Sequence, residues 1–126
     1  MGTRTVTAAL PGQTQVLTKA VLRAADILGL NQAALATVLG VSASSVTRMR
    51  AGQYQIEKDS KGWELATLLV RLYRGLDAIM ASDEAALRAW MQGPNTHLHA
   101  TPATLIASVA GLVQTVAYVD AYRARI

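Results

Sequence analysis

The segment from Asn31 to Gly52 constrains this chain more than any other: Asn-Gln-Ala-Ala-Leu-Ala-Thr-Val-Leu-Gly-Val-Ser-Ala-Ser-Ser-Val-Thr-Arg-Met-Arg-Ala-Gly. It reads as two short helices that meet at a steep angle across a glycine turn. A crossing of this kind dictates residue types. Ala36 is the small residue where the helices touch, and Gly40 supplies the positive φ that the turn requires. Leu35, Leu39 and Val41 are placed to anchor the first helix. Val46 and Met49, three apart, are placed to face inward on the second. Asn31 and Ser42 stand where an N-cap accepts a backbone N–H, and Gly52 ends the second helix.

A second helix anchored by Val46 and Met49 leaves Ala43, Ser44, Ser45, Thr47, Arg48 and Arg50 for its outer and terminal faces. Ser44, Ser45 and Arg48, at spacings of three and four, share one stripe. Short hydroxyl side chains permit close backbone approach, and an arginine fork matches the guanine edge. These are the requirements of a helix-turn-helix that seats its second helix in the major groove. Ser44, Ser45 and Arg48 are the candidates for base contact. Gln32, Ser42, Thr47 and Arg50 are the candidates for phosphate contact. On spacing alone, an ordinary helical hairpin with a solvated Ser/Thr face remains the alternative. A net charge of +4 suits a polyanionic partner without establishing one.

No segment alternates with period two, and long Ala/Leu stretches argue for an all-α fold. With 126 residues and no Phe, the core must be built from Leu, Val, Ala and Ile. Residues 1–13 read as a flexible arm with a Pro11-Gly12 turn; Arg4 alone supports a contact of this arm with a DNA backbone. A helix is expected from about Thr14 to Leu28, stopped by Gly29. Residues 52–62 form a polar connection. A longer helix should follow from about Trp63 to Met80, its apolar face made by Leu65, Leu68, Leu69, Leu72, Leu76 and Ile79. Ser82 is placed to cap a short helix that reaches about Trp90. Thr101-Pro102 opens another to about Val109, Gly111 marks a break, and a last helix runs towards Arg125. The division expected is an N-terminal helix-turn-helix domain over residues 14–80 and a small C-terminal helical domain over residues 81–126.

Several classes of function are excluded or disfavoured. There is no Cys, hence no disulfide, thiolate zinc site or cysteine nucleophile. His97 and His99 stand two apart in a loop with no carboxylate close by, too few ligands for a closed metal site. No phosphate-binding loop, nucleophile elbow or dinucleotide fingerprint is present, so no catalytic residue and no cofactor is expected. The longest apolar-rich stretch, Thr104–Val119, is broken by Ser108, Gln114 and Thr115, and the N-terminus does not read as a signal peptide. The expectation is a cytoplasmic protein with no membrane contact.

From Gln32-Ala33-Ala34-Leu35-Ala36 through Gly40-Val41-Ser42 to Val46-Thr47-Arg48 and Ala51-Gly52, the chain resembles the Xre/Cro repressors. From Trp90, through Pro94-Asn95-x-x-Leu98, Pro102-x-x-Leu105-Ile106 and Gly111, to Val116 and Val119, it resembles the toxin-binding domain of the Xre/MbcA/ParS antitoxins. The pairing covers roughly residues 14–126. It implies a type II antitoxin that neutralises a RES-domain, NAD⁺-degrading toxin, and that represses its own operon by binding a palindromic operator as a homodimer. Trp90, Asn95, Leu98, Tyr122, Arg123, Arg125 and Ile126 are the candidate toxin-binding residues under this resemblance.

The residues themselves leave some roles open. Leu105, Ile106, Val109, Leu112, Val113, Val116 and Val119 are too many for one side of a short helix, so some must contact another subunit or a partner; the alternative is that they complete this subunit's own core. Trp90 is either a core anchor or a partner-facing hot spot. Asn95 is placed to hold its turn through bonds to backbone. The family often has a Gly pair where this chain has His99 and Ala100. Its terminal helix usually runs on to a Gly and a short tail that reaches the toxin's active site. Here Tyr122–Ile126 must supply any such plug; Arg123 and Arg125 either pair with toxin acids or simply sit as cations at a helix end. The competing readings are a solitary or partition-type DNA-binding regulator without a toxin, and an interaction module that no longer reads DNA.

Overall fold

The computed structural model describes residues 12–125, which form seven helices and no strand. Helix α1 spans Gln13–Leu28, α2 Gln32–Leu39, α3 Ala43–Arg50, α4 Lys61–Ile79, α5 Glu84–Gln92, α6 Pro102–Leu105 and α7 Val109–Ala124. The expected arm falls largely on residues 1–11, outside the described part. Gly12 is already the N-cap of α1.

The apolar spacing read from the sequence becomes the buried faces. On α1, Val21, Ala24, Ala25, Ile27 and Leu28 are buried. On α4, Leu65, Leu69, Leu72 and Leu76 are buried, together with Ala66, Val70 and Gly75, while Leu68 and Ile79 are half-buried. This wide apolar face lets α4 pack on α1 on one side and α7 on the other. The approach to α7 is close, because a Cβ at Gly75 would lie 2.6 Å from Val119 Cγ1. A single buried cluster therefore runs from Val21 to Val119 through both halves of the chain. Each fully buried leucine in it contributes about 1.5–3 kcal/mol relative to exposure.

Capping explains most of the boundaries. Asn31 accepts the Ala34 N–H, Ser60 that of Trp63 and Ser108 that of Gly111. The cap expected at Ser82 is instead Asp83, whose carboxylate accepts the Ala86 N–H. Ala81 and Ser82 take left-handed conformations, φ 51° and 62°, and the Ser82 hydroxyl turns back to the Asp77 carboxylate. The preceding turn thus moves the helix start one residue on.

Gly111 is also corrected. It lies in the first turn of α7 rather than at a break, and α6 ends at Leu105. A Cβ there would fall 1.9 Å from the Leu105 carbonyl oxygen, so the glycine permits α6 and α7 to meet. The polar connection carries one buried anchor, Ile56. Its N–H donates to the Thr18 hydroxyl at 3.0 Å, and that hydroxyl donates to Thr14 O at 2.6 Å.

Candidate functional site

Helix α2 ends as the turn chemistry demands. Gly40 adopts φ 69°, its N–H donates to Thr37 O, and the Val41 N–H reaches back to Ala36 O at 3.0 Å. The chain then re-enters a helix at Ser42, whose hydroxyl accepts the Ser45 N–H at 3.1 Å. Leu35, Ala36, Leu39, Val46 and Met49 are all buried, while Val41 is half-buried. These contacts hold α3 against the body of the protein by its inner face and leave its outer face in solvent.

Ser44, Thr47 and Arg48 occupy that outer face and are exposed. Arg48 does not wave freely. Its guanidinium lies 5.7 Å from the centroid of the Tyr54 ring and donates to the Ser45 hydroxyl at 3.2 Å. A cation held over an aromatic face at an exposed site gains about 0.5–1 kcal/mol, which biases it toward one direction. Tyr54 was missed in the sequence, where it stood in a polar connection. Its being the one aromatic among residues 52–62 was the available signal.

Three other expected contact residues are engaged internally. Ser45 is buried, because its side chain turns into the first turn of α3, 2.9 Å from the Ser42 hydroxyl. It therefore leaves the stripe expected with Ser44 and Arg48, and supports Arg48 from beneath. The Gln32 side-chain amide donates to Ala43 O at 2.9 Å and to the Thr47 hydroxyl. It braces the start of α2 against α3 rather than presenting a free donor. Arg50 pairs with Asp26 at 2.8 Å. The Asp26 hydrogen bond raises the arginine pKa, partial burial opposes this and the charge of Asp26 adds to it. Ser42 is exposed but serves as the cap and lies 3.0 Å from the Ser44 hydroxyl.

The candidate partner-binding residues do not form one cluster. Trp90 and Tyr122 line a common apolar notch of about 170 Å³ with Leu76, Met80 and Tyr118, and Tyr122 is 45% exposed. His97 stacks on Tyr118 with ring centroids 5.8 Å apart. Asn95 holds its own loop: its side chain accepts the Leu98 N–H at 3.0 Å and its N–H donates to Ala100 O at 3.1 Å. Leu98 is buried at 4% exposure, so it packs inward and offers no contact surface. The positive φ of 60° at His99 closes this turn. Arg123 lines a different groove, beside Arg71 and Arg74. Arg125 is the exposed C-cap of α7, and Ile126 lies outside the described residues. Ile106, just after α6, and Leu112, Val116 and Val119 on α7 are buried, while Val109 and Val113 on α7 are exposed.

Among the described residues, no group of three or more His, Cys, Asp or Glu could hold a metal ion, and no helix is long and apolar enough to cross a membrane. Residues 8–71 match the family described as the antitoxin Xre-like helix-turn-helix domain. Residues 75–125 match the antitoxin Xre/MbcA/ParS C-terminal toxin-binding domain. Neither family is enzymatic. No curated protein matches the chain. The two matches adjoin within α4, the helix that both halves share. With a DNA-binding helix-turn-helix thus joined directly to a toxin-binding domain, the chain belongs to the Xre-like antitoxins.

Proposed function

We propose that this antitoxin neutralises a RES-domain toxin that degrades NAD⁺, and that it represses its own operon from a palindromic operator as a cytoplasmic homodimer. The observation that carries this reading is the succession of the two family matches, over residues 8–71 and 75–125, in one chain. Exposed Ser44 and Arg48 supply the operator contacts, with Arg48 as the base reader, while the Thr47 hydroxyl, which accepts from Gln32 and donates to Ala43 O at 3.2 Å, must give up a partner to reach a phosphate. Trp90 and Tyr122 supply the aromatic anchor for the toxin, and Tyr122–Ile126 the segment that enters its active site. Val109 and Val113, exposed on α7, are available to a second subunit. The proposed division is an operator-binding part, residues 14–80, and a toxin-binding part, residues 81–126, with α4 packed on helices of both.

The test is coexpression with the protein encoded beside this chain's gene, following cellular NAD⁺ and growth. The full chain is expected to preserve NAD⁺. A chain ending at Ala121 is expected to lose that protection while still binding the DNA upstream of its gene. Protection by the shortened chain would overturn the role of the tail. An adjoining protein that leaves NAD⁺ unchanged, with operator binding intact, would favour a regulator without this toxin.

A further inference from the structure

A groove of about 660 Å³ runs between the N-terminal half of α1, α4 and the C-terminal half of α7. Its apolar wall includes Val16, Leu17, Trp63 and Val70. Val16 is 54% exposed and Trp63 only half-buried, so this wall faces solvent. The other wall is basic. Arg71, Arg74 and Arg123 line it, against a single carboxylate, Asp120. Asp120 is already held by Arg71, with Nη2 at 2.9 Å from Oδ2 and Nε at 3.3 Å from Oδ1. Among the described residues, Arg74 and Arg123 make no ion pair.

From this pairing of walls we infer that the groove receives a segment of the toxin partner carrying a carboxylate beside a large apolar side chain. The inference rests on the antitoxin reading above and adds a second contact, apart from the Trp90–Tyr122 notch. Charge complementarity selects the occupant. The chain's own residues 1–11 contain Arg4 and no acidic side chain, so they do not match the basic wall. A carboxylate between Arg74 and Arg123 gains charge-assisted hydrogen bonds, and its apolar neighbour covers Val16 and Trp63. The groove takes residues from both matched segments, with Val16, Trp63 and Arg71 from the first and Asp120 and Arg123 from the second. Its occupation therefore requires the intact chain.

Arg74 decides the matter, because it lies outside the C-terminal tail. The tagged full chain is coexpressed with the protein encoded beside its gene, and the affinity of the purified pair is measured. Arg74→Glu is expected to weaken binding roughly tenfold or more at low salt, the scale of a broken interfacial charge pair. Arg74→Lys, and Lys58→Glu at an exposed position outside the groove, should stay within about threefold. Unfolding midpoints of the three variants check that each is folded. Arg74→Glu binding within about threefold of the unaltered chain overturns the groove while leaving the antitoxin reading intact, and so does an equal loss in Lys58→Glu. An Arg74→Glu loss that disappears once residues 1–11 are removed assigns the groove to the chain's own N-terminus and overturns it. So does an Arg74→Glu variant that changes only the oligomeric state of the chain alone. An unaltered chain that captures nothing overturns the toxin reading, and the groove with it.

Discussion

Arg50 grips Asp26 through both terminal nitrogens, at 2.8 and 3.3 Å, and ties the last turn of α3 to the last turn of α1. The side chains are 36% and 58% exposed, so water screens the pair. Its worth is about 0–1 kcal/mol. The consequence lies in which groups are available. Arg50 remains a cation, but a carboxylate beside α3 already holds it. Asp26→Ala releases Arg50 and removes a charge that repels phosphate. Urea unfolding should show a loss below about 1 kcal/mol. Affinity for upstream DNA should rise and its salt dependence steepen, one phosphate contact adding a slope of about 0.9. A fall in affinity would show that the pair positions α3 for binding.

Arg48, the proposed base reader, is held between the Tyr54 ring and the Ser45 hydroxyl. Arg48→Ala should cost about 1–3 kcal/mol on the operator and relax discrimination at one position. Tyr54→Leu should cost less, about 0.5–1 kcal/mol, by loosening the guanidinium without removing it. Anisotropy titrations with operator and scrambled duplexes separate the two. Equal losses on both duplexes would reassign Arg48 to phosphate.

Thr18 joins the connection after α3 to α1, because its buried hydroxyl accepts the Ile56 N–H. Thr18→Val keeps the shape and strands that donor. The expected loss of stability is about 1–3 kcal/mol, with Thr18→Ser largely sparing the bond. Chemical denaturation measures both. Similar losses in the two variants would point to packing of the methyl group instead.

Gly111 allows the Leu105 carbonyl to approach where a side chain would stand, with 1.9 Å left for a Cβ. The obstacle is backbone and cannot swing aside. Gly111→Ala should therefore destabilise by about 1–3 kcal/mol or more, despite the better helix propensity of alanine. Thermal unfolding tests this, and a stabilised variant would mean that α6 shifts freely.

The all-α fold, the helix-turn-helix and most helix limits were legible because they depend on neighbours within four residues. Asn31 and Ser42 cap as their positions demand, and Gly40 turns the chain as only a residue without Cβ does readily. The Ser82 cap failed for a reason that is also local but harder to read. Two successive residues took positive φ, and Asp83, one position later, was the better placed acceptor. Gly111 was misread because a break and a close approach call for the same residue.

The sequence by itself determined which helices form, which faces they bury and where the helix-turn-helix lies. Periodicity and capping are short-range, and burial of apolar faces follows from them. Only the tertiary structure decided which polar side chains on those helices remain available. Gln32 is taken by Thr47 and the Ala43 carbonyl, and Arg50 by Asp26. Leu98 is taken by the interior, while Trp90 and Tyr122 are brought to one notch and Arg71, Arg74 and Arg123 to one groove. Side chains many positions apart meet only once the helices pack. A hydrogen-bonding group or cation with a partner inside the fold must give up that partner before it can bind anything else.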